Sequence, residues 1–77
     1  MVTVLRAHGL RFVIFLDDHE PAHVHVFGDG EAKIVLGDDK PELVWAAGLS
    51  KTDIRRAMRV VAEQRDDLLR QWRTLHD

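Results

Sequence analysis

The chain has 77 residues, with 11 basic and 13 acidic side chains, a formal net charge of −2 and no cysteine. Because only about 60–65% of the unfolded surface is buried at this size, we predict one small domain with a thin core over residues 1–77. The lack of cysteine excludes disulfides and thiolate metal sites, and the negative charge argues against bulk electrostatic attraction to nucleic acid.

The first residues, MVTVLRAHG, have neither the basic segment nor the long apolar segment of a signal peptide. No apolar run approaches the ~20 residues that a membrane-spanning helix needs. We therefore expect a cytoplasmic protein with no membrane contact, and the absence of cysteine agrees with a reducing compartment.

The first half of the chain has the pattern of short β-strands. TVLRA and LRFVIFL are rich in β-forming residues and are separated by His8-Gly9, which predicts a hairpin. LRFVIFL is apolar on both faces, which is typical of a central strand. HVHVF and EAKIVLG follow, joined by the turn sequence GDG. ELVW either adds a fifth short strand or remains a loop.

The second half is helical. Ser50 is a good N-cap, and Asp53 favours the positive start of a helix. Apolar side chains then recur at steps of four and three around Arg65, at Ile54, Met58, Val61, Leu68, Trp72 and Leu75. One helix over residues 51–75 would be ~37 Å long, and a compact domain of this size is only roughly 30 Å wide.

The helix therefore either breaks near EQRDD or extends beyond the sheet. In the second case the apolar side chains of its last turns must be covered by another molecule. We then predict a binding site for a partner protein or a second copy of the chain, formed by Leu68, Leu69, Trp72 and Leu75. In the first case these residues fold onto the same core. Either way the predicted class is α+β, a small antiparallel sheet of four or five strands with C-terminal helix on one face.

The segment DDHEPAHVHVF (residues 17–27) holds three of the five histidines. His23 and His25 are two residues apart on a predicted strand, so their side chains project from one face ~6.5–7 Å apart. With His19 or a carboxylate from the preceding loop as third ligand they can hold a divalent metal, since zinc, iron, nickel and copper accept imidazole nitrogen together with carboxylate oxygen.

The same residues also suit acid–base chemistry, because histidine titrates near neutral pH and Asp18 can orient a ring. A phosphodiester substrate would need cations for its developing charge, and Arg11 and Lys33 are predicted on the histidine face. The third interpretation is a solvated or partner-binding sheet face without chemistry.

The order of GLRFVIF, DHEPAHVHV, EAKI and a charged helix ending LLRQW resembles a family of small bacterial proteins, the domain of unknown function four-one-six-zero. The most specific element is the D-H-x-P-x-H-V-H-V block, in which Ala22 stands where many members have a second proline. Such proteins are often encoded beside another very small protein in an arrangement similar to a toxin–antitoxin pair. The resemblance implies no reaction.

From these observations we expect a toxin-like component of a bacterial type II toxin–antitoxin module. Its active centre would be His19, His23, His25 and Asp18, with nucleic acid as target and a small cognate protein encoded nearby as inhibitor. The alternatives are a non-catalytic partner-binding module, such as an antitoxin, accessory protein or homodimer, and a metal-binding accessory domain. Whether the chain is an enzyme is open at this point.

Overall fold

Five antiparallel strands and two helices make up the computed structural model, which describes residues 1–77. The elements are β1 (Val2–Ala7), β2 (Leu10–Ile14), β3 (His23–Phe27), β4 (Glu31–Val35), β5 (Glu42–Ala47), α1 (Lys51–Glu63) and α2 (Arg65–His76). Each strand pairs with the next one in the chain, in the order β1-β2-β3-β4-β5. The predicted α+β class is confirmed, and ELVW does belong to a fifth strand.

Tight turns connect the first strands, as the sequence predicts. His8 and Gly9 both have positive φ, 55° and 72°, which the two-residue turn of a hairpin requires. In the β3–β4 turn, a Cβ on Gly30 would lie 2.0 Å from the carbonyl oxygen of Ala47. Glycine is therefore needed there because the end of β5 approaches the turn closely.

The hydrophobic core lies between the helices and one face of the sheet. Alternate residues of the central strands supply one side, among them Phe12, Ile14, Val24 and Ile34. The buried helix residues of the same core are Ala57, Val61, Leu68 and Trp72. The alternation of apolar positions in the strands thus sets which face the helices cover.

The helical region breaks at Gln64, between α1 and α2. Ser50 caps α1 as predicted, because its Oγ accepts a hydrogen bond of 3.0 Å from the Asp53 amide. Arg65, the charged residue in the apolar series, donates from Nε to the Leu36 carbonyl at 2.9 Å and from the guanidinium to the Gly37 carbonyl. These bonds fasten the start of α2 to the end of β4.

The break corrects the prediction of a partner surface at the end of the helix. α2 folds back onto the sheet, so Leu68 and Trp72 lie inside the core, and Leu69 and Leu75 pack against it partly buried. The Cα extents of the protein are 34 × 25 × 19 Å, too short to cover an unbroken helix. Neither helix has the length and apolar character that a membrane crossing requires.

Candidate functional site

The sheet face opposite the helices, called the open face below, carries most of the predicted site residues. Strand pairing aligns Val13, His25, Lys33 and Trp45 in one row across β2 to β5. A second row on the same face runs across all five strands through Arg6, Arg11, Phe27, Glu31 and Ala47. Cations, aromatic rings and a histidine therefore share one surface.

Three side chains, Asp18, His23 and His25, converge at one edge of this face and are called the Asp–His–His cluster below. Oδ2 of Asp18 lies 3.0 Å from Nε2 of His23 and 3.7 Å from Nε2 of His25. The side chains are 20%, 5% and 13% exposed, respectively. One carboxylate oxygen therefore faces two imidazole nitrogens in a largely water-free position.

Two local features bring these residues together. His23 and His25 project from the same face of β3, and their ring centroids are 5.2 Å apart. Asp18 reaches them from the loop after β2, where its amide donates to the Phe15 carbonyl at 3.1 Å and closes a turn. The turn directs the chain back toward the strand that follows, so residues distant by five and seven positions in sequence become neighbours.

Each histidine also has an acceptor near the nitrogen that points away from Asp18. Nδ1 of His23 lies 2.9 Å from the Pro21 carbonyl, and a carbonyl can only accept, so this nitrogen carries the proton. Nδ1 of His25 lies 3.4 Å from Oε2 of Glu31, without hydrogen-bond alignment. In the neutral form of His23, the unprotonated nitrogen therefore faces the carboxylate of Asp18.

Hydrogen bonding inside the cluster is incomplete. Oδ2 of Asp18 and Nδ1 of His25 are buried and have no hydrogen-bond partner. Burial also lowers the pKa of His25 below its ordinary value of 6.5, and the carboxylate of Asp18 opposes this effect only in part. The lowered pKa favours the neutral form of His25, and Oδ2 of Asp18 has no aligned hydrogen-bond donor.

An open cleft of about 410 Å³ reaches the cluster at Asp18. Trp72 forms part of its wall, held by a hydrogen bond of 3.1 Å from Nε1 to Oε1 of Glu20 and by stacking on His76 at 3.9 Å between ring centroids. The residues that line the cleft are Leu16, Asp17, Asp18, His19, Glu20, Trp72 and His76. The cleft connects the cluster with solvent.

The structure places one predicted site residue elsewhere. His19 is exposed in the wall of the cleft and does not join His23 and His25. This corrects the expectation that His19 completes the set, since the turn after β2 brings Asp18 to that position instead. Asp18 is one of the loop carboxylates that the sequence offered as the alternative third ligand.

The predicted cations share the open face with His25, and Lys33 is its direct neighbour. Lys33 is the pairing partner of His25 on β4, and Arg11 lies over the ring of Phe27 with its guanidinium carbon 5.3 Å from the centroid. Glu31 and Arg6 lie on the same face, and neither was predicted as a site residue. Glu31 could have been found from strand alternation, because it is two residues from Lys33; Arg6 required the register of the first hairpin.

Comparison with known proteins gives one family. A family model described as "Domain of unknown function (DUF4160)" matches residues 9–73, a range that contains the cluster, the cleft loop and most of both helices. No curated protein and no solved structure matches the chain.

Proposed function

The chain belongs to the DUF4160 family of domains of unknown function, and from its open face we propose that it is the toxin-like component of a bacterial type II toxin–antitoxin module that cleaves single-stranded RNA. The Asp–His–His cluster is the active centre of this proposal. The observation that carries it is the convergence of Asp18, His23 and His25 within 4.8 Å of one another beside an open cleft.

The surroundings of the cluster support a single-stranded nucleic acid as substrate. Proteins bind such strands with cations along the backbone and aromatic rings on which bases stack. The open face offers Arg6, Arg11 and Lys33 as cations, and Trp45 is 41% exposed with its ring centroid 6.4 Å from that of His25. The net charge of −2 makes this local set important, because the rest of the chain does not attract phosphate.

Trp45 also supports a way for a small cognate protein to inhibit the centre. It lies on β5, an edge strand whose residues Leu43, Val44 and Trp45 are exposed. Exposed edge strands accept an additional strand from another chain through main-chain hydrogen bonds. A partner strand on β5 would cover Trp45 and block access to the row that contains His25 and Lys33.

The test is growth after induction of this chain, together with cleavage of end-labelled single-stranded RNA by the purified protein. We expect wild type to arrest growth and cleave the RNA, and His25→Gln to lose about 100-fold or more of the cleavage rate, as removal of a group that takes part in proton transfer or metal binding does. His8→Asn is the matched control, since His8 is exposed in the β1–β2 turn and asparagine accepts its positive φ.

Wild type without growth arrest and without RNA cleavage at soluble levels equal to those of the variants would contradict the proposal. Equal cleavage by wild type and His25→Gln would also contradict it, because the activity would then come from elsewhere.

The second candidate is a non-catalytic partner-binding module, an antitoxin or accessory protein. The exposed apolar edge at β5 is the observation in its favour. Val44→Asp would then abolish association with the small protein encoded beside this chain, while His25→Gln would leave both association and biological effect unchanged. Association retained by Val44→Asp would exclude β5 as the interface.

A further inference from the structure

The arrangement of donors and acceptors around the Asp–His–His cluster is incomplete as a hydrogen-bond network. His23 donates from Nδ1 to Pro21, so its Nε2 presents a lone pair to Asp18 at 3.0 Å. Oδ2 of Asp18 is buried and accepts no hydrogen bond. Two electron-rich atoms at this distance in a buried place repel each other unless a proton or a cation lies between them.

The outer contact of the His23 ring suits a metal cation. Metal-binding histidines commonly direct one nitrogen at the ion and the other at a carbonyl or carboxylate, which fixes the tautomer and ring orientation. His23 has the Pro21 carbonyl in this position, and both Nε2 atoms face Asp18. Oε2 of Glu31 lies 3.4 Å from Nδ1 of His25 but is not aligned for a hydrogen bond, so the outer acceptor is in place for His23 only.

The spacing of the three atoms also fits an ion. Two ligands that each lie 2.0–2.1 Å from a tetrahedral zinc are separated by roughly 3.4 Å. The distances from Oδ2 of Asp18 to the two Nε2 atoms, 3.0 and 3.7 Å, lie on either side of this value. All three atoms are within 4.8 Å of one another, so a bound ion would shorten the widest separation by at most about 1.4 Å.

We propose that Asp18, His23 and His25 bind one divalent first-row transition-metal ion through Oδ2, Nε2 and Nε2, with the Pro21 carbonyl orienting the ring of His23. Nitrogen and carboxylate ligands of this kind suit zinc, cobalt, iron and nickel better than magnesium or calcium. Three protein ligands leave at least one coordination position free, which is the mark of a catalytic site and differs from a closed structural site.

An ion at Asp18 would lie where the cleft meets the cluster, and therefore in the active centre of the proposed function. A catalytic role of this ion rests on the proposed function. Binding itself does not depend on the proposed function. A test that measures the ion directly therefore separates the two.

The experiment uses full-length protein without a histidine tag, stripped with chelator and titrated with Co²⁺ and separately with Zn²⁺. We expect one equivalent of either ion to bind, a visible Co²⁺ spectrum of low coordination number, and a melting temperature raised by roughly 10 °C or more at 100 times the dissociation constant. His25→Gln and Asp18→Asn should each weaken binding at least 10-fold, and His8→Asn should bind like wild type. Asp18→Asn keeps the side-chain shape in a loop, so it remains informative if His25→Gln unfolds.

The absence of any spectrum or melting shift with both ions would overturn the metal site. Binding of unchanged strength in both Asp18→Asn and His25→Gln would overturn it as well, because the ion would then lie elsewhere. If the wild type cleaves RNA but binds neither ion, the metal inference fails and the proposed function stands. If it binds one ion through these residues but cleaves no RNA, the metal site stands and the proposed function fails.

Discussion

Replacing His25 with leucine should make the metal-free protein more stable while abolishing its function. Nδ1 of His25 is buried without a hydrogen bond, and an unsatisfied buried polar atom costs about 1–3 kcal/mol. The ring already lies among apolar groups, with the Phe15 centroid at 4.8 Å and the Trp45 centroid at 6.4 Å. Leucine is close to histidine in volume and needs no partner there.

The side chain of His25 is 13% exposed, so water relieves part of the cost and we expect the lower end of that range, a stabilisation of about 1 kcal/mol. For a domain of this length, 1 kcal/mol corresponds to a melting temperature higher by about 4–8 °C. His23→Leu provides the contrast. It removes the donor to Pro21, leaves that carbonyl without its partner, and should destabilise the protein by about 1–2 kcal/mol.

The assay is urea denaturation of the three proteins in the presence of chelator, followed by fluorescence of the two tryptophans. We expect changes in unfolding free energy of opposite sign for two identical substitutions two residues apart on one strand. If His25→Leu lowers the unfolding free energy by 1 kcal/mol or more, the ring is a structural part of the sheet, and its incomplete hydrogen bonding has no functional meaning.

Three further predictions concern the core, the pH dependence and the open face. Leu68→Ala should lower the unfolding free energy by about 2–5 kcal/mol in chemical denaturation, because Leu68 is fully buried. Leu43→Ala, at an exposed position, should change it by less than about 1 kcal/mol. Similar values for the two variants would contradict the folded-back position of α2. Because burial lowers the pKa of His25, the folded metal-free protein binds fewer protons than the unfolded chain. Its unfolding free energy should therefore decrease as the pH falls below 6.5, and this decrease should be less steep in His25→Leu. Trp45→Ala should weaken binding of single-stranded RNA by about 5- to 150-fold in fluorescence anisotropy, the loss of one stacked base, and unchanged affinity would exclude Trp45 from the interface.

The first four strands could be predicted from the sequence because they depend on local patterns, whereas the fifth strand and the helix break were each one of two alternatives. Alternation at His23–Val26 fixed the two faces of β3, and His8-Gly9 supplied the positive φ angles of the first turn. Arg65 interrupted the apolar series one residue after the point where the helix breaks. The same series made Trp72 and Leu68 a candidate exposed surface, because periodicity describes which residues share a helix face and not what that face packs against.

Which loop residue joins His23 and His25 in the cluster depends on the loop conformation, so the cluster could not be predicted in full. Asp18 and His19 are adjacent, both can bind a metal, and the strand pattern ends before them. Which one faces His23 is decided by the turn from Phe15 to Asp18, whose backbone angles follow from no periodic signal. The contact between Glu31 and His25 required the register of the β3–β4 hairpin, which pairs Glu31 with Phe27.

The location of unsatisfied polar atoms connects the fold with the proposed site. Two buried side-chain atoms lack a partner in this protein, Oδ2 of Asp18 and Nδ1 of His25, and both belong to the cluster. The helix-facing core consists of apolar side chains throughout. A small domain has little stability to lose, so a carboxylate whose Oδ2 is buried without a donor beside two imidazoles is a cost that the fold alone does not require. A cation at this point would compensate the charge of Asp18 and use the lone pairs of both rings, which is why the cluster is better explained as a binding site than as part of the core.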